Sequence, residues 1–166
     1  MARRVNTPAP PAGWRRLLVR APIRLYHWHL GPLLGRRLCL LTHTGRSSGL
    51  PRETALEVTG GNPVTGAVHL ASGFGPTAQW YRNIQHTPQV FLQIGGHRQA
   101  AVARPMSPQE SGLAMATYAP KHPRAARQLM RICGIATDGS TEDYYRVGRD
   151  LIPFVEVSPC QEQHEQ

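Results

Sequence analysis

The chain has 166 residues and an ordinary apolar content of 40%, which predicts one folded domain with its own hydrophobic core. No apolar run approaches the ~18 residues of a membrane-spanning helix, and the three widely separated cysteines form no C-x-x-C pair, which fits a cytoplasmic protein without a metal or redox motif. The formal net charge is +9, which excludes an acidic protein and favours an anionic partner.

The positive charge is concentrated in the first half of the chain. Residues 1–83 carry 11 arginines against Glu53 and Glu57, whereas residues 84–166 carry eight basic and eight acidic residues. Local positive charge attracts nucleic acid, membrane surfaces and anionic small molecules. The partner is therefore expected to bind residues of the first half.

The N-terminal region divides into a tail and a helix. Residues 1–13 are rich in proline and are expected to form a disordered lead-in to a single domain over 14–159, with 160–166 as a second tail. Aromatic and apolar residues recur at helical spacing over 14–37, and Pro22 is expected to break this stretch into two short helices. Such a basic helix either makes peripheral contact with a membrane or packs on the domain with its arginines in water.

Strands dominate the middle of the chain, because runs of β-branched and apolar residues are separated by glycine-rich turns. Thr77 is expected to cap a short helix within this region. The predicted elements are strands over 38–42, 54–59 and 67–72, a helix over 78–84, and a hairpin of strands 89–94 and 98–104.

The final third is mostly helical. Ser107 and Glu110 form a capping box, with Pro108 at the first helical position. This first helix is expected to end at 118–120. Further helices are predicted over 123–133 and 144–149, and a last strand over 152–157. The element order predicts an α+β fold: a small, mostly antiparallel barrel of about six strands with an N-terminal helix and a C-terminal helical insert.

The stretch 42–52 is the strongest functional signal. It has the sequence THTGRSSGLPR and joins two predicted strands. A plain hairpin turn needs no arginine, whereas a loop that holds an anion uses glycine for close backbone approach, hydroxyls as donors and arginine as a planar fork. A solvated hairpin tip with incidental charge is the alternative interpretation.

A second glycine-rich turn, 72–77, follows another strand and precedes a helix that carries Trp80, Tyr81 and Asn83. If the two turns meet at one rim of a barrel, they present donors for a charged tail and an apolar slot for a flat ring. Core packing is the alternative role of Trp80. The eight histidines, among them His43, are scattered and are expected to be surface or core residues rather than metal ligands.

Three blocks of the chain resemble the deazaflavin-dependent nitroreductase family. The stretch 40–52 is similar to its signature L-T-T-x-G-R-K-S-G-x-P-R, and the stretches 71–83 and 89–95 are similar to its A-S-x-G-G…W-Y-x-N-L and P-x-V-x-V-Q-x-G blocks. Ser47 and Gly73 stand where the family often has lysine. The likeness extends in order from Leu38 to Pro159.

The resemblance implies a split β-barrel that binds coenzyme F420, an 8-hydroxy-5-deazaflavin with a phosphate and an oligoglutamate tail. It also implies hydride transfer from the reduced coenzyme to a quinone, a nitro compound or a similar small electron-poor substrate. Tyr118 and Tyr145, in the helical insert, are candidates to close over the substrate and donate a proton. The implied coenzyme-binding residues are Arg46, Ser47, Ser48, Arg52, Thr54, Ser72, Gly73, Phe74, Trp80 and Asn83.

Two alternatives remain at this point. Sister groups of the fold bind FMN, so an FMN-dependent oxidoreductase is the first. The second is a basic module without enzymatic activity that binds anionic lipid. Nucleic acid is not an expected partner, because no recognised motif is present and the aromatic residues do not alternate with the basic ones. Either a monomer or a homodimer is expected.

Overall fold

Six antiparallel strands close into a barrel, and a group of helices covers part of its outside. The computed structural model describes residues 1–5, 14–29 and 31–160. The strands are β1 (Arg3–Arg4), β2 (Leu38–Thr44), β3 (Pro51–Asn62), β4 (Ala67–Ala71), β5 (Gln89–Ile94), β6 (His97–Pro105), β7 (Ile135–Ala136) and β8 (Phe154–Pro159). The helices are α1 (Trp14–His27), α2 (Gln79–His86), α3 (Pro108–Lys121), α4 (Pro123–Ile132) and α5 (Thr141–Asp150), with 3-10 turns at Gly31–Leu34 and Gly75–Thr77.

The barrel has the strand order β2-β3-β4-β8-β6-β5 and closes by pairing β5 with β2. This arrangement confirms the predicted fold class. Side chains alternate between the two faces of each strand, so Cys39 and Leu41 of β2 point inward with Leu70, Leu92 and Val157. Helix α2 adds Trp80, Tyr81 and Ile84 to the same buried cluster. The side chain of Asn83 is thereby placed next to the barrel.

The helical insert builds a second core beside the barrel. Tyr118, Met130 and Val147 are buried there, and Phe154 of β8 joins them. The predicted capping box of α3 is present, since Ser107 Oγ accepts from Glu110 N at 3.1 Å. These contacts attach the insert to the barrel through β8.

The N-terminal residues depart from the expected disordered lead-in. β1 pairs with β7 in a two-stranded sheet, Val5 N donates to Gly134 O at 2.7 Å, and Ala2 N donates to Asp143 Oδ1 at 2.6 Å. Two-residue strands leave no periodic pattern in a sequence, which is why this pairing was not predicted. The rest of the predicted lead-in, 6–13, lies outside the described residues.

Three local predictions are corrected by the structure. Pro22 lies inside the single helix α1 and does not divide it. Pro120 lies inside α3, which continues to Lys121. Thr77 belongs to a 3-10 turn, and Ala78 is the N-cap of α2, without a side-chain cap. One missing backbone N–H costs a helix a hydrogen bond, and tertiary packing of the helix outweighs that cost.

Within the described part of the chain, no helix is long and apolar enough to cross a membrane.

Candidate functional site

The loop between β2 and β3 is a closed turn with donors on its outside. Gly45 N donates to Leu50 O at 2.8 Å, and Gly49 N donates to Gly45 O at 2.7 Å. Gly49 has a φ of +67°, a left-handed conformation that favours glycine. The backbone N–H groups of Ser47 and Ser48 make no hydrogen bond with any described residue. They are therefore available to an anion.

Arg46 is held in place by α2. Its backbone N and its Nη1 both donate to Asn83 Oδ1, at 3.2 and 3.0 Å, and Nη1 also donates to Gln79 Oε1 at 2.8 Å. These bonds use both hydrogens of Nη1. Among the described residues, neither Nε nor Nη2 of Arg46 has a hydrogen-bond partner, so one edge of the guanidinium group is left for a ligand.

The turn 72–77 stabilises its own backbone more than it lines the site. Ser72 is fully buried; its Oγ donates to Gly75 O at 2.7 Å, and its N–H donates to Pro153 O. A Cβ at Gly73 would lie 3.1 Å from Cys133 Sγ, so this glycine faces the helical insert. The structure therefore places Ser72 and Gly73 away from the ligand-facing surface, and of this part of the expected site only Phe74 reaches the cavity.

The two turns border one cavity of about 750 Å³, which lies within the ~300–1,000 Å³ of typical ligand pockets. It brings together eight of the ten residues that the family resemblance implied. They are Arg46, Ser47, Ser48, Arg52, Thr54, Phe74, Trp80 and Asn83.

Positive charge dominates the walls of this cavity. Arg4 and Arg20 line it together with Arg46 and Arg52, against one described acidic residue, Glu53. Glu53 is already paired with His27, at 2.7 Å between Oε2 and Nε2. Arg20 and Arg52 make no hydrogen bond or ion pair within the described ranges. The site is thus strongly cationic, as an anionic ligand requires.

Trp80 belongs to the barrel core and also lines the cavity. Its side chain is 9% exposed, packs in the barrel cluster and meets the Tyr81 ring edge-on at 6.0 Å between centroids, yet it also lines the cavity. Phe74 lines the same cavity and is 42% exposed. These two aromatic residues give the cavity an apolar wall beside its arginines.

Neither of the two candidate tyrosines lines the cavity. Tyr118 is buried in the helical insert, where its hydroxyl donates to Glu57 Oε2 at 3.1 Å. Burial and the nearby Glu57 carboxylate raise the pKa of Tyr118 far above its ordinary value. Tyr145 packs against Gly112, with the Arg149 guanidinium over its ring. Their positions give no support to a role as proton donor to a substrate in this cavity.

Several cavity residues were not identified from the sequence. Arg4 and Arg20 come from the N-terminal region, and their position depends on the docking of β1 and α1. Gln79 directly precedes the predicted Trp80. His43 lies within the stretch 42–52, and alternation along β2 places it on the inward face with Cys39 and Leu41.

Comparison with known protein families identifies one family whose model matches this chain. A family model described as F420H(2)-dependent quinone reductase matches residues 16–129, more than half of the chain. No match was found among curated proteins.

Solved structures with the same fold include three that align with most of the chain. The F420-H2 dependent reductase FDR-A has 23% identity and a TM-score of 0.52 over 75% of this chain and 96% of its own. A structure described as a domain-swapped dimer has 22% identity and a TM-score of 0.52, covering 82% of this chain and 96% of its own. The protein Atu2129 from Agrobacterium tumefaciens str. C58, of unknown function, has 19% identity and a TM-score of 0.51, covering 90% and 58%. At such identities, these likenesses show the fold.

Proposed function

The chain belongs to the F420H(2)-dependent quinone reductase family and is therefore an F420-dependent oxidoreductase, and we propose that its cavity holds the reduced coenzyme beside a small electron-poor substrate, such as a quinone or a nitro compound. When bound, the coenzyme supplies the hydride. The chain supplies binding and orientation.

The observation that carries this proposal is the geometry of Arg46. Its Nη1 is bound to Asn83 and Gln79, and the edge formed by Nε and Nη2 has no hydrogen-bond partner among the described residues. Two parallel N–H donors match two oxygens of a phosphate or a carboxylate. Arg46 is therefore the expected anchor of the anionic tail.

Other cavity residues extend this anion site. Arg52 and Arg20 supply charge, and the N–H groups of Ser47 and Ser48 supply donors. Arg4 and Arg20 add two cations to a site in which Ser47 replaces a lysine that is frequent in the deazaflavin family. We propose that these N-terminal arginines take over the contribution of that lysine to binding of the tail.

The distribution of the arginines favours F420 over FMN. FMN carries its charge on one phosphate, which one or two arginines can neutralise. The four cavity arginines come from β1, α1, the loop 45–50 and β3, and this spread fits a longer tail with several carboxylates. Trp80 and Phe74 would border the flat ring.

A fluorescence titration of cofactor-free protein with oxidised F420, with FMN as a competitor, tests the site. The double variant Arg46→Ala, Arg52→Ala is expected to lose at least about 100-fold in affinity, because two charge-assisted contacts contribute about 1.5–3 kcal/mol each. The control Arg124→Ala, Arg131→Ala on α4 makes the same charge change outside the cavity and should bind normally.

Unchanged binding in the first double variant would refute the site. An equal loss of affinity in both double variants would mean that only the net charge of the protein affects binding. Preference of the unmodified protein for FMN would refute the choice of coenzyme. The substrate class is tested by adding a quinone or a nitroaromatic compound to the enzyme with reduced F420. Recovery of oxidised-coenzyme fluorescence identifies the class that is reduced, and recovery with neither would refute both.

A second candidate activity, peripheral binding to an anionic membrane, is favoured by two exposed apolar side chains that follow α1. Trp28 is 66% exposed and Leu33 is 77% exposed, and exposed Arg20, Arg24 and Arg36 lie nearby in sequence. Aromatic and aliphatic side chains beside arginines suit the surface of an anionic bilayer.

Vesicle flotation tests this membrane contact. The variant Trp28→Ser, Leu33→Ser should lose binding to anionic vesicles. The control Val64→Ser, Leu113→Ser removes exposed apolar side chains elsewhere and should keep it. Equal flotation of the two variants would exclude a role of Trp28 and Leu33 in membrane binding.

A further inference from the structure

His43 lies at the end of the barrel where β2 meets the cavity. It continues the inward-facing series of Cys39 and Leu41, is 5% exposed, and is one of the residues that line the cavity. The proposed anion site does not use it. A buried imidazole in contact with a ligand cavity is a candidate for direct ligand recognition.

The hydrogen-bond network assigns the position of the ring proton. Two donors of Arg46 point at one end of the Asn83 amide, and this end must therefore be its oxygen. The other end, Nδ2, is 3.1 Å from His43 Nδ1. Because an amide nitrogen only donates, His43 Nδ1 accepts, and the proton of the neutral ring resides on Nε2.

The second ring nitrogen faces the cavity. No described residue hydrogen-bonds to His43 Nε2. Among the described residues, every fully buried side-chain nitrogen or oxygen has a hydrogen-bond partner. Because Nε2 has no such partner, it is not fully buried. The accessible surface beside His43 belongs to the cavity.

The surroundings keep the ring neutral. Burial, together with the positive charge of Arg52, the direct cross-strand neighbour of His43, lowers the pKa of the imidazole to about 4. At neutral pH the ring is therefore a donor at Nε2 and not a cation. Such a donor selects an oxygen with a free lone pair and adds no charge to the site.

Building on the proposed function, we infer that His43 is a coenzyme-binding residue whose Nε2–H donates a hydrogen bond to an oxygen of the deazaflavin coenzyme, and that Asn83 is a positioning residue that fixes this tautomer. The acceptor is a ring carbonyl or a phosphate oxygen. In this arrangement Asn83 joins the two binding groups, since its Oδ1 holds Arg46 and its Nδ2 holds His43.

Two substitutions separate the two ring nitrogens. The amide of asparagine is two bonds from Cβ, as Nδ1 of histidine is, whereas the amide nitrogen of glutamine is three bonds away, as Nε2 is. His43→Asn therefore keeps the contact with Asn83 and loses the donor, and His43→Gln keeps the donor. We expect F420 to bind His43→Asn about 3- to 10-fold more weakly, as the loss of one neutral hydrogen bond predicts, and His43→Gln within about twofold.

A deazaflavin without phosphate and tail serves as the second probe. Equal weakening of both probes by His43→Asn assigns the acceptor to the ring, and weakening of F420 alone assigns it to the phosphate. Unchanged F420 binding in His43→Asn would overturn the inference.

Nitrogen-15 NMR of the histidine rings gives a readout independent of activity. In the cofactor-free protein, His43 should show an unprotonated Nδ1 and a protonated Nε2, and F420 should shift the Nε2 resonance. In Asn83→Asp, the new carboxylate accepts from Nδ1, so the tautomer should reverse. A protonated Nδ1 in the unmodified protein, or a bound coenzyme that leaves Nε2 unshifted, would overturn the inference. Failure of F420 to bind the unmodified protein would instead refute the proposed function. The tautomer of His43 is measured in the cofactor-free protein and does not depend on that result.

Discussion

Arg46 owes its proposed role to its shape as much as to its charge. Its Nη1 contacts two acceptors of α2 while the opposite edge is left for a ligand. A lysine carries the same charge on a single flexible ammonium group and cannot reproduce both sets of contacts.

Arg46→Lys is therefore expected to weaken F420 binding about tenfold, the cost of one bidentate contact. Arg20→Lys is the matched control, because Arg20 has no described hydrogen bond that a lysine would lose; a loss of less than about threefold is expected there. Fluorescence titration measures both. Similar losses in the two variants would mean that Arg46 acts only as a charge.

His43 also makes the stability of the fold depend on pH. Its folded-state pKa, about 4, lies below the ordinary value of 6.5. As pH falls from about 6.5 to about 4, the unfolded chain takes up a proton that the folded chain does not, so stability decreases over this range. The slope is at most about 1.4 kcal/mol per pH unit. Burial is the main cause of this low pKa, and the positive charge of Arg52 across the sheet acts in the same direction.

Urea denaturation of the unmodified protein and of His43→Gln, at pH 7 and pH 5, isolates this effect. The two proteins share all other titrating groups, so the difference between their stabilities should change with pH as described. A pH-independent difference would mean that His43 titrates normally in the fold.

At the scale of elements, the helical insert depends on the close approach of α3 and α5. A Cβ at Gly148 would lie 2.2 Å from Ser111 O and 2.8 Å from Met115 Cβ. Gly148→Ala must push the helices apart and is expected to cost about 1–3 kcal/mol of unfolding free energy. At Gly112 the added Cβ meets the Tyr145 ring, which can rotate away, so Gly112→Ala should cost less. Chemical denaturation ranks the two, and the reverse order would contradict this contact geometry.

The start of α3 provides a second test at this scale. Ser107 and Glu110 cap it reciprocally, and Ser107 N donates to Glu110 Oε2 at 2.7 Å. Ser107→Ala removes the acceptor for Glu110 N and should lower stability by about 1 kcal/mol. Ser107→Asp retains an acceptor and should be nearly neutral. Thermal melts compare them, and equal destabilisation would show that the cap contributes little.

The sequence was sufficient for features that depend on near neighbours. The capping box at Ser107 and the hairpin at Gly95 are local patterns, and six strands of suitable spacing were enough for the barrel. The loop chemistry of Arg46 was recognised for the same reason. Features that depend on packing between distant parts of the chain could not be predicted. One is the burial of Ser72, whose N–H donates to Pro153 O. The other is the position of Arg4 at the cavity, which depends on its strand pairing with Ile135.

At the scale of the whole molecule, the excess charge and the cavity coincide. All four cavity arginines belong to residues 1–83, which carry the whole net charge. Attraction between solvent-exposed charges weakens as salt is added, because the Debye length falls from about 10 Å at 0.1 M to about 3 Å at 1 M.

F420 affinity should therefore fall at least about tenfold between 0.05 and 0.5 M salt, while that of a deazaflavin without its anionic tail should stay nearly constant. Parallel titrations at several salt concentrations check this. Equal salt dependence of the two ligands would place the tail away from the arginines.

Closure of the barrel also limits how two copies of the chain can associate. Each of the six barrel strands pairs with a neighbour on both sides, so the barrel wall has no open edge to which a strand of another molecule could add its backbone hydrogen bonds. A second copy can therefore join the barrel only through side chains on its outer surface or by exchanging a whole element.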